Sequence, residues 1–298
     1  MRSRPPRAGS SSLRNRVDLR TAIRLRRSVR RYAAQPVPRD LLDRLAADAR
    51  AADHLVRPGV RVERVDGRER VAGVLARYAG VYGLVRGAPH LLVGLIPEDT
   101  PENRIDLGYV LERVVLEATR LGLATCWMTG SYRPDRAARA IRLRPGERVA
   151  AVVALGYPRT DPLARLHDAA VRRVVAAHRR LPLTRIVFAG RWGGPWSSQG
   201  ADPALVEALE CARLAPSARN RQPWRFVVEG EEVHLALTTP APIDAGIAMA
   251  HVALAGREMG LAGRWRLRWA DDGMARRLRL PPGVVPAGTF SPIHPRRP

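Results

Sequence analysis

Lysine is absent from this chain. All 51 residues counted as lysine or arginine are arginine, and with 28 acidic residues they give a formal net charge of +23. A charge of this size can indicate a nucleic-acid partner. The arginines are spread along the whole length, however, and the complete exclusion of lysine is more typical of a bias toward GC-rich codons. We therefore expect no nucleic-acid partner, and nucleic-acid binding remains the weaker alternative.

Cysteine and long apolar runs are also scarce. Cys126 and Cys211 are the two cysteines, and their positions form neither a disulfide framework nor a metal-binding spacing. The seven histidines form no metal motif, so we predict no metal site. No apolar run is long enough for a membrane-spanning helix, so no membrane partner is expected. Residues 1–16 are basic without the apolar segment of a signal peptide. We interpret them as a disordered leader and take the cytoplasm as the default location.

The chain contains an internal repeat. Its 298 residues, 46% of them hydrophobic, suffice for one large or two modest domains. The stretch IDLGYVLERVVLEATRLGLATCW from Ile105 aligns without gaps with IDAGIAMAHVALAGREMGLAGRW from Ile243, and nine of the 23 positions are identical. A separation of about 138 residues is too long for a solenoid repeat. The repeat therefore indicates a duplicated domain.

Local patterns predict a mixture of helices and strands. Apolar residues at helical spacing after Ile105 predict a helix that ends at Gly122, and the second copy predicts a similar helix. Residues 90–96 and 150–156 are apolar runs typical of buried strands, and residues 224–237 alternate around a glycine turn as a hairpin does. Because these elements do not alternate as regular βαβ units, the predicted fold class is α+β.

Two short motifs could carry chemistry. RRSVR (Arg26–Arg30) groups guanidinium groups and a hydroxyl that suit a phosphate, although in an arginine-rich chain a solvated charge run is the favoured alternative for this motif alone. APSARNRQPW (Ala215–Trp224) is far more specific, because it joins a helix end, turn-forming residues and polar side chains ahead of a strand. Trp224 itself is expected to lie in the core.

Together with GLATCWMTG (Gly122–Gly130), these motifs resemble those of the FMN-dependent nitroreductase family, from about Val17 onward. The resemblance is closest to the Thermotoga-type variant, in which two nitroreductase-like halves are fused. In the ordinary family two identical subunits intertwine, and each FMN lies between the RxS and GLG segments of one subunit and the APSxxN loop of the other. The resemblance implies a nitroreductase-like fold with an internal pseudo-dimer, made of a first half (17–185) and a second, shortened half (186–298).

The two halves depart from the family pattern in complementary ways. In the first half, apolar spacing predicts a helix that carries Leu41–Ala49, and APSxxNxQPW would be expected to follow it. The sequence there is ARAADHLVRPGVRVERV instead. The second half has no RxSxR segment, and its GLAGRWRLRW places arginine where the edge of the flavin would lie. One composite FMN site is therefore expected, and its symmetry mate is expected to be lost.

The resemblance assigns a role to each candidate residue. The cofactor-binding residues would be Arg26, Arg27 and Ser28 at the phosphate and ribityl chain, Arg30 at the pyrimidine edge, Thr129 and Gly130 facing N5, and Pro216, Ser217 and Asn220 beside the isoalloxazine. RRLPLTRIVF resembles a further phosphate-binding segment, which would add Arg179 or Arg180, but the pair Arg172–Arg173 competes for this role. Trp192 and Trp196 would line the substrate face or serve as structural anchors.

The resemblance implies an FMN-dependent NAD(P)H oxidoreductase. NADH or NADPH would deliver hydride to flavin N5, and a small electron-poor acceptor, such as a nitroarene or quinone, would then take the electrons in a ping-pong mechanism. The flavin would carry the chemistry, so no side chain is predicted as catalytic. The alternatives are a flavin-binding or storage protein with little turnover and a relative that has lost FMN. Because the internal pair would replace the usual homodimer, we expect a monomer.

Overall fold

The computed structural model describes residues 17–75, 85–162, 165, 166, 169, 170, 173 and 179–293. The predicted leader, residues 1–16, lies outside the described residues. The helices are α1 (Leu19–Leu25), α2 (Arg39–Arg50), α3 (Arg68–Val74), α4 (Pro101–Arg120), α5 (Pro134–Ala140), α6 (Leu183–Ile186), α7 (Pro203–Arg213), α8 (Pro242–Glu258) and α9 (Asp272–Arg277). In this part of the chain, no helix combines the length and the apolar character that crossing a membrane requires.

Proline and capping side chains set where the helices begin. Pro101 opens α4 behind Thr100, whose hydroxyl accepts a hydrogen bond from the backbone N–H of Asn103. Pro203 opens α7 behind Asp202, whose carboxylate caps the helix in the same way. Gly122 follows α4 with φ +75°, which ends the predicted helix where the sequence indicated.

The first sheet contains four antiparallel strands. These are β1 (Arg61–Asp66), β2 (His90–Ile96), β3 (Ala124–Met128) and β4 (Arg148–Gly156). Their order across the sheet is β1-β2-β4-β3. The apolar runs at 90–96 and 150–156 are thus confirmed as neighbouring buried strands. The remaining strand, β3, lies at the edge of the sheet beside β4.

The second sheet repeats this order and adds one strand. It contains β5 (Val187–Ala189), β6 (Trp224–Glu229), β7 (Glu232–Leu237), β8 (Gly263–Leu267) and β9 (Val285–Pro292). Their order is β5-β6-β7-β9-β8, so the last four follow the same chain order as the strands of the first sheet. β6 and β7 form the predicted hairpin. β5 pairs in parallel with β6, and all other pairs in this sheet are antiparallel.

Helices α4 and α8, which carry the sequence repeat, pack closely against each other. A Cβ added at Gly108 of α4 would overlap the carbonyl oxygen of Ile243 in α8. A Cβ added at Gly246 of α8 would overlap the carbonyl oxygen of Ile105 in α4. Since Ile105 aligns with Ile243 and Gly108 with Gly246, the two contacts are reciprocal, as they are across a two-fold axis. The main core cluster surrounds these helices and draws residues from both sheets.

Candidate functional site

The segment Arg26–Arg30 extends the edge of the first sheet. Arg26 ends α1, where its backbone N–H donates to the carbonyl of Ala22 at 2.8 Å. Ser28 then bridges Thr125 of β3 in parallel, and the N–H of Val29 donates to the Thr125 carbonyl at 3.0 Å. The first motif is therefore fixed against the strand that leads to Thr129 and Gly130.

The second motif forms a strained loop after α7. Arg219, Asn220 and Gln222 have φ values of 55°, 54° and 49°. This left-handed region is unfavourable for residues other than glycine, and such strain persists where surrounding contacts enforce it. The hydroxyl of Ser217 accepts the N–H of Gln222 at 2.9 Å. The loop is thus held in one conformation by its own side chains.

A buried carboxyl group supports this loop from α8. Both oxygens of Asp244 lie near the N–H of Ala218, at 3.3 and 3.2 Å. Burial raises the pKa of Asp244 to about 7, while the Ala218 hydrogen bond and the charge of Arg221 lower it. In the other copy of the repeat, Asp106 accepts hydrogen bonds from the N–H groups of residues 55 and 60. The two copies thus use equivalent aspartates to hold the loops that precede β1 in the first sheet and β6 in the second.

The segment 179–181 crosses the second motif. The carbonyl oxygen of Arg179 accepts from the amide of Asn220 at 3.0 Å and from the amide of Gln222 at 3.0 Å. The amide oxygen of Gln222 accepts the N–H of Leu181 at 2.9 Å. The amide side chains of Asn220 and Gln222 therefore bind the backbone of this segment, and Asn220 also contacts the side chain of Arg180.

Arg180 brings the two distant motifs together. Its Nη1 donates to the carbonyl of Ala215 at 2.8 Å and to Oδ1 of Asn220 at 3.1 Å. The pKa of Arg180 is lowered to about 10, first by burial and then by the positive charges of Arg26 and Arg213. Arg26 of the first motif is therefore close enough to repel the arginine that contacts the second motif.

The guanidinium group of Arg26 is incompletely satisfied. Its Nε is buried and has no hydrogen-bond partner within the described part of the chain. Burial lowers the pKa of Arg26, and the carboxylate of Glu112 partly opposes this shift. Among the described residues, neither Arg26 nor Arg180 forms an ion pair with a carboxylate. Two partly buried guanidinium groups that pair with no described carboxylate suit a phosphate, which accepts several charge-assisted hydrogen bonds.

The remaining candidates lie on both sides of this cluster. Arg30 is buried at 8% exposure, and Pro216 is buried beneath the strained loop. Arg27, Thr129 and Gly130 are exposed. A Cβ at Gly130 would meet no atom of the described residues within 4 Å. A hydrogen bond joins Arg180 to Asn220, and Arg26 is linked to Arg180 through the repulsion of their charges. Among the described residues, no hydrogen bond joins Thr129 or Gly130 to these three.

The competing arginine pairs and the tryptophans differ in their surroundings. Arg173 is exposed, and Arg172 lies outside the described residues. Trp224 is fully buried, as expected for a core residue. Trp192 packs on Phe188 with ring centroids 5.1 Å apart, and Trp196 packs on the main core cluster. These contacts favour the anchor role for both linker tryptophans over a place on the substrate face.

Sequence reasoning missed three polar residues behind the site. These residues are Asp244, Glu112 and His251. All three are buried, and they lie beside the elements that carry the candidate residues. Asp244 is repeated as Asp106 in the IDLG and IDAG stretches, a signal that could have identified it. Glu112 and His251 have no such signal, because each is an isolated polar residue on an apolar helix.

The comparisons with known proteins agree with this fold. The chain matches the family model described as "Putative TM nitroreductase" over residues 18–256, and it belongs to that family. A crystal structure of a nitroreductase from Thermotoga maritima has 21% identity and a TM-score of 0.59, covering 95% of this chain and 98% of that one. At this identity the match shows the fold alone, an α+β nitroreductase-like fold. No curated protein matches the chain.

Two more distant structures cover about half of the chain. A nitroreductase from Bacteroides fragilis with bound FMN has 20% identity and a TM-score of 0.40, covering 48% of this chain and 89% of that one. An NADPH:FMN oxidoreductase from Vibrio harveyi in complex with NAD+ has 20% identity and a TM-score of 0.39, covering 48% and 70%. The TM-scores of these two structures are too low to support an argument about the site.

Proposed function

We propose that the chain is an FMN-dependent NAD(P)H oxidoreductase that reduces a small electron-poor acceptor. The observation that carries the proposal is that Arg26 and Arg180, two partly buried like charges with no carboxylate partner among the described residues, are close enough to repel each other. Bringing two such groups together is costly unless an anion joins them. Membership of a nitroreductase family makes the phosphate of FMN the appropriate anion.

The residues present fit this cofactor. Arg26, Arg180 and the hydroxyl of Ser28 would hold the phosphate, and the orphaned Nε of Arg26 would gain an acceptor. Pro216, Ser217 and Asn220 would border the isoalloxazine, together with the exposed turn at Thr129 and Gly130. Arg27 would reach the ribityl chain. When bound, FMN would supply hydride acceptance from NADH or NADPH and electron transfer to the second substrate in a ping-pong sequence.

The protein's part in this chemistry is positioning and charge. The strained loop, fixed by Ser217, Gln222 and Asp244, would present its side chains without reorganisation. Arg30 would place a positive charge at the pyrimidine edge, where negative charge develops on reduction. These roles need no acid–base residue, in keeping with the absence of a predicted catalytic side chain.

The same proposal includes an internal pseudo-dimer with one cofactor site. The repeated helices, the shared strand order of the two sheets and the reciprocal contacts of Gly108 and Gly246 support it. One site would combine Arg26 and Ser28 of the first half with Asn220 of the second. At the mate position, Asp106 holds a loop without the APSxxN residues. We therefore propose division near residue 185 and a monomer in solution.

The experiment is a visible absorption spectrum of the purified protein before and after anaerobic NADPH or NADH. We expect flavin absorbance that is bleached by the reductant and restored by a nitroarene or quinone. The Arg26→Ala protein should lose most of its flavin, whereas Arg39→Ala, which removes an exposed arginine on α2, should retain it. A colourless protein that does not take up added FMN would contradict the proposal. A flavin that NAD(P)H cannot reduce would favour a storage role instead.

A further inference from the structure

A buried acid and a buried histidine meet between the two long helices. Glu112 lies on α4 and His251 on α8, and both side chains are fully buried. The Nε2 of His251 is 2.9 Å from Oε1 of Glu112, and its Nδ1 is 2.8 Å from the carbonyl oxygen of Cys211. The indole N–H of Trp127 donates to Oε2 of Glu112 at 2.7 Å. The three side chains thus form a hydrogen-bonded network.

The geometry fixes how many protons the pair holds. A carbonyl oxygen can only accept, so Nδ1 of His251 must carry a hydrogen. The contact between Nε2 and Oε1 then needs a second proton, held either by the imidazole or by the carboxyl group. The indole N–H favours an ionised Glu112, because it donates to the second oxygen. The Cys211 carbonyl lies in the last turn of α7, where the helix dipole favours a cation.

The pair lies directly behind two elements of the candidate site. Trp127 belongs to β3, the strand that Ser28 flanks and that leads to Thr129. The charge of Glu112 also acts on Arg26, where it partly offsets the lowering of the Arg26 pKa by burial. No hydrogen bond joins Glu112 to Arg26 among the described contacts, so the link between them is electrostatic.

We propose that Glu112 and His251 form a buried ion pair in which Glu112 is a positioning residue of the cofactor site, holding Trp127 and moderating the positive charge around Arg26. This inference rests on the proposed function, because it takes the Arg26 cluster to be the phosphate site. His251 supplies the countercharge that allows a carboxylate to remain in the core. The pair would therefore tune how strongly the site attracts a phosphate.

Glu112→Gln separates this electrostatic role from a purely structural one. The amide oxygen can accept the Trp127 N–H, and the amide nitrogen can donate to a neutral His251, so the network and the fold are preserved. The negative charge of Glu112 is lost, and the positive charge of His251 is lost with it. Because Glu112 and not His251 acts on the charge of Arg26, the loss of the carboxylate should dominate there. We expect inorganic phosphate to bind the flavin-free full-length variant severalfold more tightly than the unaltered chain, as measured by titration calorimetry.

The protonation of His251 gives a second readout that does not need the cofactor. In spectra of protein labelled with 15N-histidine, both ring nitrogens of His251 should be protonated in the unaltered chain. In Glu112→Gln, Nε2 should lose its proton. The His251→Gln protein identifies the signal by its absence. The matched control is Glu117→Gln on the same helix, which removes a carboxylate paired with Arg44 and Arg120 and should change neither readout.

An unprotonated Nε2 in the unaltered chain would overturn the ion pair, even if Glu112→Gln failed to fold. Unchanged phosphate affinity in a folded Glu112→Gln protein would overturn the link to Arg26. Failure of the unaltered chain to bind FMN would count against the proposed function instead, and the His251 spectrum would still decide the state of the pair.

Discussion

Arg26 and Arg180 are separated by more than half of the chain and yet share one electrostatic environment. Burial lowers the pKa of each, and the positive charge of Arg26 lowers the pKa of Arg180 further. Water can solvate the charge of an exposed arginine, but it solvates these two partly buried guanidinium groups less well. An anion bound between them would remove the repulsion, and this is the residue-level basis of the proposed site.

Arg180→Ala should weaken FMN binding by at least about tenfold, because a hydrogen bond to a charged group contributes about 1.5–3 kcal/mol. The measurement is a fluorescence titration of flavin-free protein with FMN. Arg191→Ala removes an exposed arginine from the linker and serves as the control for the loss of one charge. Equal FMN affinity of the Arg180→Ala and unaltered proteins would remove Arg180 from the site.

Asp244 should make the stability of the protein depend on pH in an unusual direction. Its folded pKa of about 7 lies above the ordinary value of 3.8, so the folded state binds a proton that the unfolded state releases. This contribution to stability is present below pH 3.8 and is lost as the pH rises toward 7. From pH 5 to pH 8, the free energy of unfolding of the unaltered protein should fall by up to about 3 kcal/mol relative to that of Asp244→Asn.

Urea unfolding at pH 5 and pH 8 measures this difference. Asp99→Asn is the control, because a hydrogen bond from Arg104 lowers the pKa of Asp99, and that carboxylate is ionised at both pH values. The free energy of unfolding of Asp99→Asn should change between pH 5 and pH 8 by the same amount as that of the unaltered protein. If that of Asp244→Asn also changes by the same amount, the carboxyl group of Asp244 is not protonated in the folded state, and its support of the loop has a different origin.

At the scale of elements, the contact between α4 and α8 depends on two glycines. Gly246→Ala would place a methyl group against the carbonyl oxygen of Ile105, and backbone atoms cannot move aside as a side chain could. We expect a loss of at least about 1–3 kcal/mol in the free energy of unfolding. Chemical denaturation, followed by far-ultraviolet circular dichroism, measures it.

Gly73→Ala is the matched control for this substitution. Gly73 lies in α3, where a Cβ would meet only the flexible end of Arg136 at 4.0 Å. Alanine should be neutral or stabilising there by up to about 1 kcal/mol, since it favours the helix. Equal effects of the two substitutions would show that the close approach of α4 and α8 is not specific.

The elements that the sequence predicts best are those with one clear hydrophobic pattern. β2 and β4 are apolar runs, α4 has apolar spacing with a glycine stop, and the hairpin around Gly230 alternates regularly. β1 was missed because its sequence, RVERVD, carries four charged residues, and five of its six residues are only partly buried. β5 was missed as a strand because three residues carry no periodicity, and its partner is distant in sequence.

The residues of the candidate site that lie in short motifs could be predicted from the sequence. The residues that tertiary packing places there could not. The RRSVR and APSARNRQPW motifs identified Arg26 and Asn220 through their resemblance to a family. Choosing Arg180 from the neighbouring arginines required the contacts to Ala215 and Asn220. His251 could not have been assigned from sequence, because its partners belong to two other helices.

At the scale of the whole molecule, the charge of +23 is distributed rather than concentrated in one motif. Part of it is used internally, as Arg61 with Glu147 and Arg104 with Asp99 illustrate. We still expect no specific nucleic-acid partner. That expectation stays a prediction, and loss of any DNA retention near physiological salt would agree with it.

We propose that two halves of one chain build a single flavin site. Native mass spectrometry of the purified protein, after reconstitution with FMN, tests this arrangement because it counts chains and flavins in the same particle. We predict one chain with one FMN. Two FMN per chain would contradict the loss of the mate site. A particle of two chains would contradict the replacement of the homodimer by an internal pseudo-dimer. A chain with no FMN would contradict the flavin site itself.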